Sequence, residues 1–241
     1  MTRSGTIMAM GGGGFSMGPD HTLLDDHLLS LATRRRGVGD LPKVLFVPTA
    51  SGDPETYVDR FVESFAERAE TSSLRLFNLG ELEGADLRTF VLEHDVVYVG
   101  GGSTANLLAL WRLHGLDEIL AEALEDGIVL GGVSAGMNCW FEGSVTDSYG
   151  PLAALPDGLG FLSGSGCPHY DGEVDRRPTY LELVGSGALD GGFAIQDDCA
   201  LVFRDGELVE GVSERAEAQA FHVHLDGATV VEDEVDVRYL G

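Results

Sequence analysis

Gly132, Ser134 and Gly136 form a G-x-S-x-G pattern inside the stretch Gly131-Gly132-Val133-Ser134-Ala135-Gly136-Met137-Asn138-Cys139-Trp140. The apolar run Gly127-Ile128-Val129-Leu130 before it reads as a buried strand, and residues 137–141 after it read as the opening of a helix. A serine between the two sits on a tight, strained turn, a nucleophile elbow. A β-carbon two residues to either side would clash there, so the spacing asks for glycine. The turn lifts the hydroxyl above the sheet. It also aims the Ala135 N–H and the positive end of the new helix at a developing oxyanion. A glycine-rich turn whose serine only caps a helix is the plainer reading of the same residues.

A serine hydroxyl is a weak nucleophile until a histidine takes its proton and an acid holds that histidine's tautomer. Among seven histidines, His169 stands out, because it follows Pro168 in a loop after the serine, where a rigid approach helps aim the ring. Gly100-Gly101-Gly102-Ser103-Thr104 leaves another strand at the same sheet edge, and its free N–H groups can supply a second oxyanion donor. Gly11 to Gly14, by contrast, fits G-x-G-x-x-G in no register and reads as a loop of close backbone approach. His222 and His224 flank Val223 on a strand, so both rings face one side, and with Asp226 they could ligate zinc. Strand surface is the better account of so short a signal. The reading therefore assigns no metal and no cofactor.

Composition narrows the classes. A chain of 241 residues with 44% hydrophobic content can bury a full core, and a single α/β domain over 1–241 is the expectation. A net charge of −25, from 15 basic and 40 acidic residues, argues against nucleic acid and anionic membranes as partners. It also means that an anionic substrate needs local arginines. No leader-like segment or membrane-length apolar run is seen, which predicts a soluble, cytoplasmic protein. Three widely spaced cysteines give neither a disulfide framework nor a zinc site.

The elements that must position the serine alternate. Thr6-Ile7-Met8-Ala9-Met10, Lys43-Val44-Leu45-Phe46-Val47, Leu74-Arg75-Leu76-Phe77-Asn78-Leu79 and Asp95-Val96-Val97-Tyr98-Val99 read as strands. Helical patterns separate them: Leu23 to Leu31, capped by Asp20 or Thr22 and followed by Arg34-Arg35-Arg36; then Glu55 to Ala69 and Asp86 to Glu93. Two further helices, through Leu107 and Trp111 and through Leu116 and Leu124, lead to the serine strand. This alternation predicts a mostly parallel sheet with helices on both faces, a three-layer sandwich, whose ligand crevice lies beyond the carboxyl ends of the strands. After the serine come Asp147, a predicted loop over Pro151 to Pro156, the Gly164 to Asp171 stretch with His169 in a loop, a helical turn at 180–184, and then short strands forming C-terminal β-hairpins with turns at Asp205-Gly206 and Asp226-Gly227.

Three segments together, Gly100-Gly101-Gly102-Ser103-Thr104, Ser134-Ala135-Gly136-Met137-Asn138-Cys139-Trp140 and Cys167-Pro168-His169-Tyr170, resemble the peptidase E (aspartyl dipeptidase) family and its relative cyanophycinase. The resemblance runs from the first glycine loop to about Phe203. It implies a class I glutamine-amidotransferase-like α/β sandwich with Ser134 as nucleophile and His169 as base. It also implies an oxyanion hole at the Gly102 and Ala135 amides. For the acid, Asp147 matches the family's placement best; Asp197 and Asp198, at a strand end, are rivals, with Asp198 weighed directly against Asp147. The family's substrates, dipeptides with N-terminal aspartate or β-linked aspartyl-arginine units, need cations. Arg176 and Arg177 are the candidate contacts for carboxylates, and Glu173 and Asp171 the candidates for a free amino terminus.

The expectation is a serine dipeptidase-like hydrolase acting on a small peptide, as monomer or homodimer. An α/β-hydrolase esterase is one alternative, disfavoured because some 35 positions between Ser134 and His169 leave no room for that fold's intervening strands. A class I amidotransferase would need cysteine in place of Ser134. A catalytically inert binding protein on the same scaffold is the remaining alternative.

Overall fold

A computed structural model describes residues 4–18, 22–32, 41–82 and 86–241. Asp20 and the Arg34-Arg35-Arg36 run lie outside the described residues. Thr22 precedes the first helix without a side-chain cap bond.

Five strands form a parallel core in the order β1 (Thr6–Met10), β5 (Val129–Val133), β4 (Val96–Val99), β2 (Lys43–Val47), β3 (Glu70–Ser73). Alternation along these strands sends side chains to two separate apolar layers. Met8, Met10, Phe46 and Tyr98 meet α1 (Leu23–Leu31) and α2 (Glu55–Phe65) on one face. Ile7, Ala9, Leu45, Val97 and Leu130 meet α4 (Thr104–His114) and α5 (Leu116–Glu125) on the other. The intervening α3 (Leu87–Leu92) is capped by Asp86, which accepts from the Thr89 N–H. The sheet is extended past β1 by antiparallel β10 (Cys199–Arg204) and β11 (Glu207–Ser213), then by β14 (Val237–Tyr239).

The third strand falls earlier than its apolar residues suggest. Strand β3 is the polar run 70–73 at the sheet edge, paired only with β2, and residues 76–82 turn instead in 3₁₀ geometry. An edge strand has little apolar surface to bury, while Leu74 and Leu76 are buried as the chain turns away.

A second, six-stranded sheet combines three strands between residues 141 and 167, where no strand was expected, with three later ones that fall among the expected short strands. Its order is β13 (Thr229–Val235), β12 (Ala220–Asp226), β9 (Gly192–Ile195), β8 (Leu162–Cys167), β6 (Phe141–Thr146), β7 (Ala153–Leu155). Helix α7 (Arg176–Gly185) packs on one of its faces with Tyr180 and Val184 buried against Val145, Cys167 and Val223. Its other face meets the first sheet through Phe141 and Phe193, which lie 6.0 and 5.1 Å from the ring of Phe203 on β10. The strands of this second sheet are glycine- and serine-rich because their backbones pack close: a β-carbon on Gly192 would lie 1.9 Å from the Ser165 carbonyl oxygen. Among the described residues, no helix is long and apolar enough to cross a membrane.

Candidate active site

The carboxyl ends of β1, β4 and β5 are adjacent, and each ends in a loop that contributes to one site. Ser134 ends β5 at φ 58°, ψ −112°, a left-handed conformation that costs a non-glycine residue about 1–3 kcal/mol. The one-turn helix α6 (Ala135–Asn138) follows at once and is shorter than expected, because Phe141 already begins β6. The flanking glycines make this turn possible. A β-carbon on Gly132 would stand 2.1 Å from the Gly136 carbonyl oxygen, and one on Gly136 would stand 2.3 Å from the Val99 carbonyl oxygen. The Met137 and Asn138 N–H groups both donate to the Ser134 carbonyl, fixing the turn from below.

His169 follows β8 of the second sheet and is itself left-handed, at φ 53°. Its N–H donates to the Gly11 carbonyl at 3.2 Å, which ties the β8 loop to the β1 loop. The ring spans two partners. Nδ1 lies 2.6 Å from Asp197 Oδ1, and Nε2 lies 2.8 Å from Ser134 Oγ. A carboxylate only accepts, so Nδ1 carries the proton and Nε2 is free to accept from the serine hydroxyl. The serine, histidine and aspartate thus form one continuous relay, with the histidine and aspartate side chains only about one-fifth exposed.

The carboxylate on the imidazole is Asp197, which corrects the sequence preference for Asp147 and the weighing of Asp198 as its rival. Asp147 is exposed in the turn after β6, where its carbonyl accepts from the Gly150 N–H. Asp198 turns away at φ 64°, and its Oδ2 accepts from Arg215 Nε at 3.1 Å. Asp197 sits where the chain crosses from β9 of the second sheet to β10 of the first. Gly12 and Gly172 wall its carboxylate: a β-carbon on either would fall 2.0 or 2.1 Å from one of its oxygens. Asp171 Oδ1 accepts from the Asp197 N–H at 2.9 Å, while Arg215 Nη2 donates to the Asp197 carbonyl and to Asp171 Oδ2. The sequence reading did not single out Gly12, Gly172 or Arg215. Gly12 was visible only as one of four glycines, and nothing in sequence spacing marks Arg215.

The glycine loop after β4 lies over the serine. A β-carbon on Gly101 would be 3.3 Å from Ser134 Cβ, and the Gly101 N–H donates to the Tyr57 hydroxyl at 3.4 Å. Gly102 adopts φ 136°, and a β-carbon there would strike the Ala50 carbonyl at 2.3 Å. Neither the Gly102 nor the Ala135 N–H has an acceptor among the described residues, so both remain available to a bound anion.

The residues assigned to substrate contact have other partners. Arg176 is 3% exposed; its Nε and Nη2 bind Glu173, and Nη1 reaches the Val145 carbonyl. It anchors the start of α7 rather than presenting a guanidinium to solvent. Glu173 is bound to it through the same ion pair. Arg177 is exposed, pairs with Glu232 at 2.8 Å and lies over the Tyr170 ring.

Comparisons with known proteins identify the family of the chain. The chain matches peptidase family S51 over residues 7–211. It is 48% identical over 236 residues to the uncharacterized peptidase YgaJ of Bacillus subtilis (strain 168), covering 98% of this chain and 99% of that protein. It is 31% identical over 150 residues to peptidase E of Streptomyces coelicolor, an alignment covering 60% of this chain and 57% of that one. In fold it resembles the crystal structure of a peptidase from an acI-B1 actinobacterium. The TM-score there is 0.74 at 17% identity, over 97% of this chain and 95% of that one. With its strand-end serine, its glycine loops and a family match reaching from β1 to β11, the chain belongs to peptidase family S51.

Proposed function

We propose that this chain is a serine peptidase that hydrolyses short peptides, with dipeptides bearing an N-terminal aspartate as the first substrate class. Ser134 attacks the scissile carbonyl while His169 Nε2 takes the hydroxyl proton, and Asp197 holds the ring and steadies the imidazolium. The Gly102 and Ala135 N–H groups stabilise the tetrahedral oxyanion. His169 then gives the proton to the leaving amine, and a water attacks the acyl-enzyme by the same route in reverse. The observation that carries this reading is the relay itself, 2.8 Å from serine to imidazole and 2.6 Å from imidazole to aspartate.

The glutamine-amidotransferase-like scaffold implied by the sequence is supported by the parallel core order and the helices on both faces. The aspartyl preference rests on resemblance alone. With Arg176 buried, Arg177 is the member of that pair left to meet a substrate carboxylate. A panel of Asp-X, Glu-X and neutral dipeptides, scored by released amino acid, tests both the class and the preference. Ser134→Ala is expected to lower turnover by about 10⁴-fold or more while leaving the fold intact. Wild-type turnover in that variant rejects the serine mechanism. Turnover of p-nitrophenyl esters alone would favour an esterase. Failure of the wild-type serine to react with a phosphonate probe would favour a binding protein.

A further inference from the structure

Strands β12 and β13 form an antiparallel hairpin at one edge of the second sheet, and a set of metal-ligating side chains meets on it, outside the triad. Val223 points into the apolar cluster under α7, so its neighbours His222 and His224 project from the opposite face. Asp233 stands directly across from His222 in the ladder and shares that face. We propose that His222, His224 and Asp233 form a binding site for a divalent ion of the zinc type, clamping β12 to β13.

The donor atoms of the three side chains all lie within 4.8 Å of one another. The two imidazoles stack, with centroids 5.1 Å apart and planes 19° from parallel. His224 Nδ1 is shielded from solvent, has no hydrogen-bond partner among the described residues and stands 3.7 Å from Asp233 Oδ2. A shielded ring nitrogen facing a carboxylate oxygen beyond hydrogen-bond reach is an unmet polar demand that a cation between them would satisfy. Zinc ligands at about 2.0–2.1 Å from the ion lie about 3.3 Å apart in a tetrahedron, so small side-chain rotations close the set and water fills the fourth position.

The donor set selects the metal. Two imidazoles and one carboxylate suit zinc, whereas magnesium prefers oxygen ligands throughout. The chain's charge of −25 draws cations in general but does not choose among them. The third ligand is not the Asp226 suggested by sequence. That residue pairs with Thr229 at the hairpin end, whereas Asp233 arrives from the partner strand, which spacing along one strand cannot reveal.

The test is calorimetric titration of the metal-free full chain with zinc chloride, with cobalt chloride as a spectroscopic probe. One equivalent per chain is expected, with tetrahedral cobalt absorption and a zinc-dependent rise in Tm. His222→Ala and His224→Ala should each weaken binding by about tenfold or more, and the double variant should abolish it. Asp233→Asn should weaken it less. His169→Ala should retain it, and magnesium chloride should neither bind nor compete. Far-UV circular dichroism shows that each variant is folded. The absence of saturable zinc uptake, uptake unchanged in the folded double variant, or an equivalent lost with His169→Ala instead would each overturn the site.

Discussion

Asp197 is followed at once by a second aspartate, and only one of the two reaches the imidazole. The pair lies in a turn, so consecutive side chains diverge: Asp197 faces His169, and Asp198 faces Arg215. The sequence made the serine and histidine legible, because a glycine-flanked serine and a proline-led histidine each have a local physical reason. The acid has none. Any of several carboxylates can face a ring, and the choice is made by a crossover between sheets that no local spacing encodes. Asp197→Asn is expected to lower kcat by about 10³–10⁴-fold, since an amide no longer enforces the productive tautomer. Asp147→Asn should leave kcat near wild type, and Asp198→Asn should fall between them by loosening Arg215. Steady-state kinetics on one dipeptide, with denaturation midpoints for each variant, ranks the three. A large loss in Asp147→Asn would reverse the assignment.

Two glycines near the relay fail in different ways if a methyl group is added. At Gly132 the new carbon meets backbone, the Gly136 carbonyl oxygen at 2.1 Å, so the strand-to-helix turn must move. Gly132→Ala is therefore expected to cost about 1–3 kcal/mol of stability, together with most activity. At Gly12 the carbon meets the Asp197 carboxylate at 2.0 Å, the end of a movable side chain. Gly12→Ala should lower kcat by about 10²-fold through a misplaced acid, with little change in the unfolding midpoint. Urea unfolding beside kinetics separates these outcomes. The parallel strands were legible because runs such as Val44-Leu45-Phe46-Val47 are buried on both faces and leave no polar alternation. Strands β6 and β8 were not. Their glycines and serines imitate loops, and the close backbone approach that requires them becomes visible only once the strands are paired.

Across the whole molecule, the composition correctly indicated a chain able to build a full core, but it did not disclose that the core is shared between two sheets. It also gave no hint of Asp25, which is fully buried beneath the first glycine loop. Asp25 Oδ2 accepts from the Phe15 N–H at 2.8 Å, with Tyr98, Arg68 and Glu214 as its charged or titratable neighbours. Burial pushes its pKa up to about 7. The folded chain thus keeps a proton that the unfolded chain releases near pH 4. Stability from this group is fully present below that pH and is lost as pH rises toward 7, by at most about 1.4 kcal/mol per pH unit. Asp25→Asn cannot ionise, so its stability relative to wild type should grow from pH 4 to 7 and then level off. Parallel pH profiles in urea unfolding would refute this. The triad has a further consequence at this scale. Its serine ends a strand of one sheet, its histidine follows a strand of the other, and its acid rides the crossover between them, while the two sheets meet through Phe141, Phe193 and Phe203. On the proposed mechanism, catalytic competence is therefore a gauge of how the two halves are docked. A slip of an ångström along that aromatic contact would silence the protein while every strand and helix stayed in place.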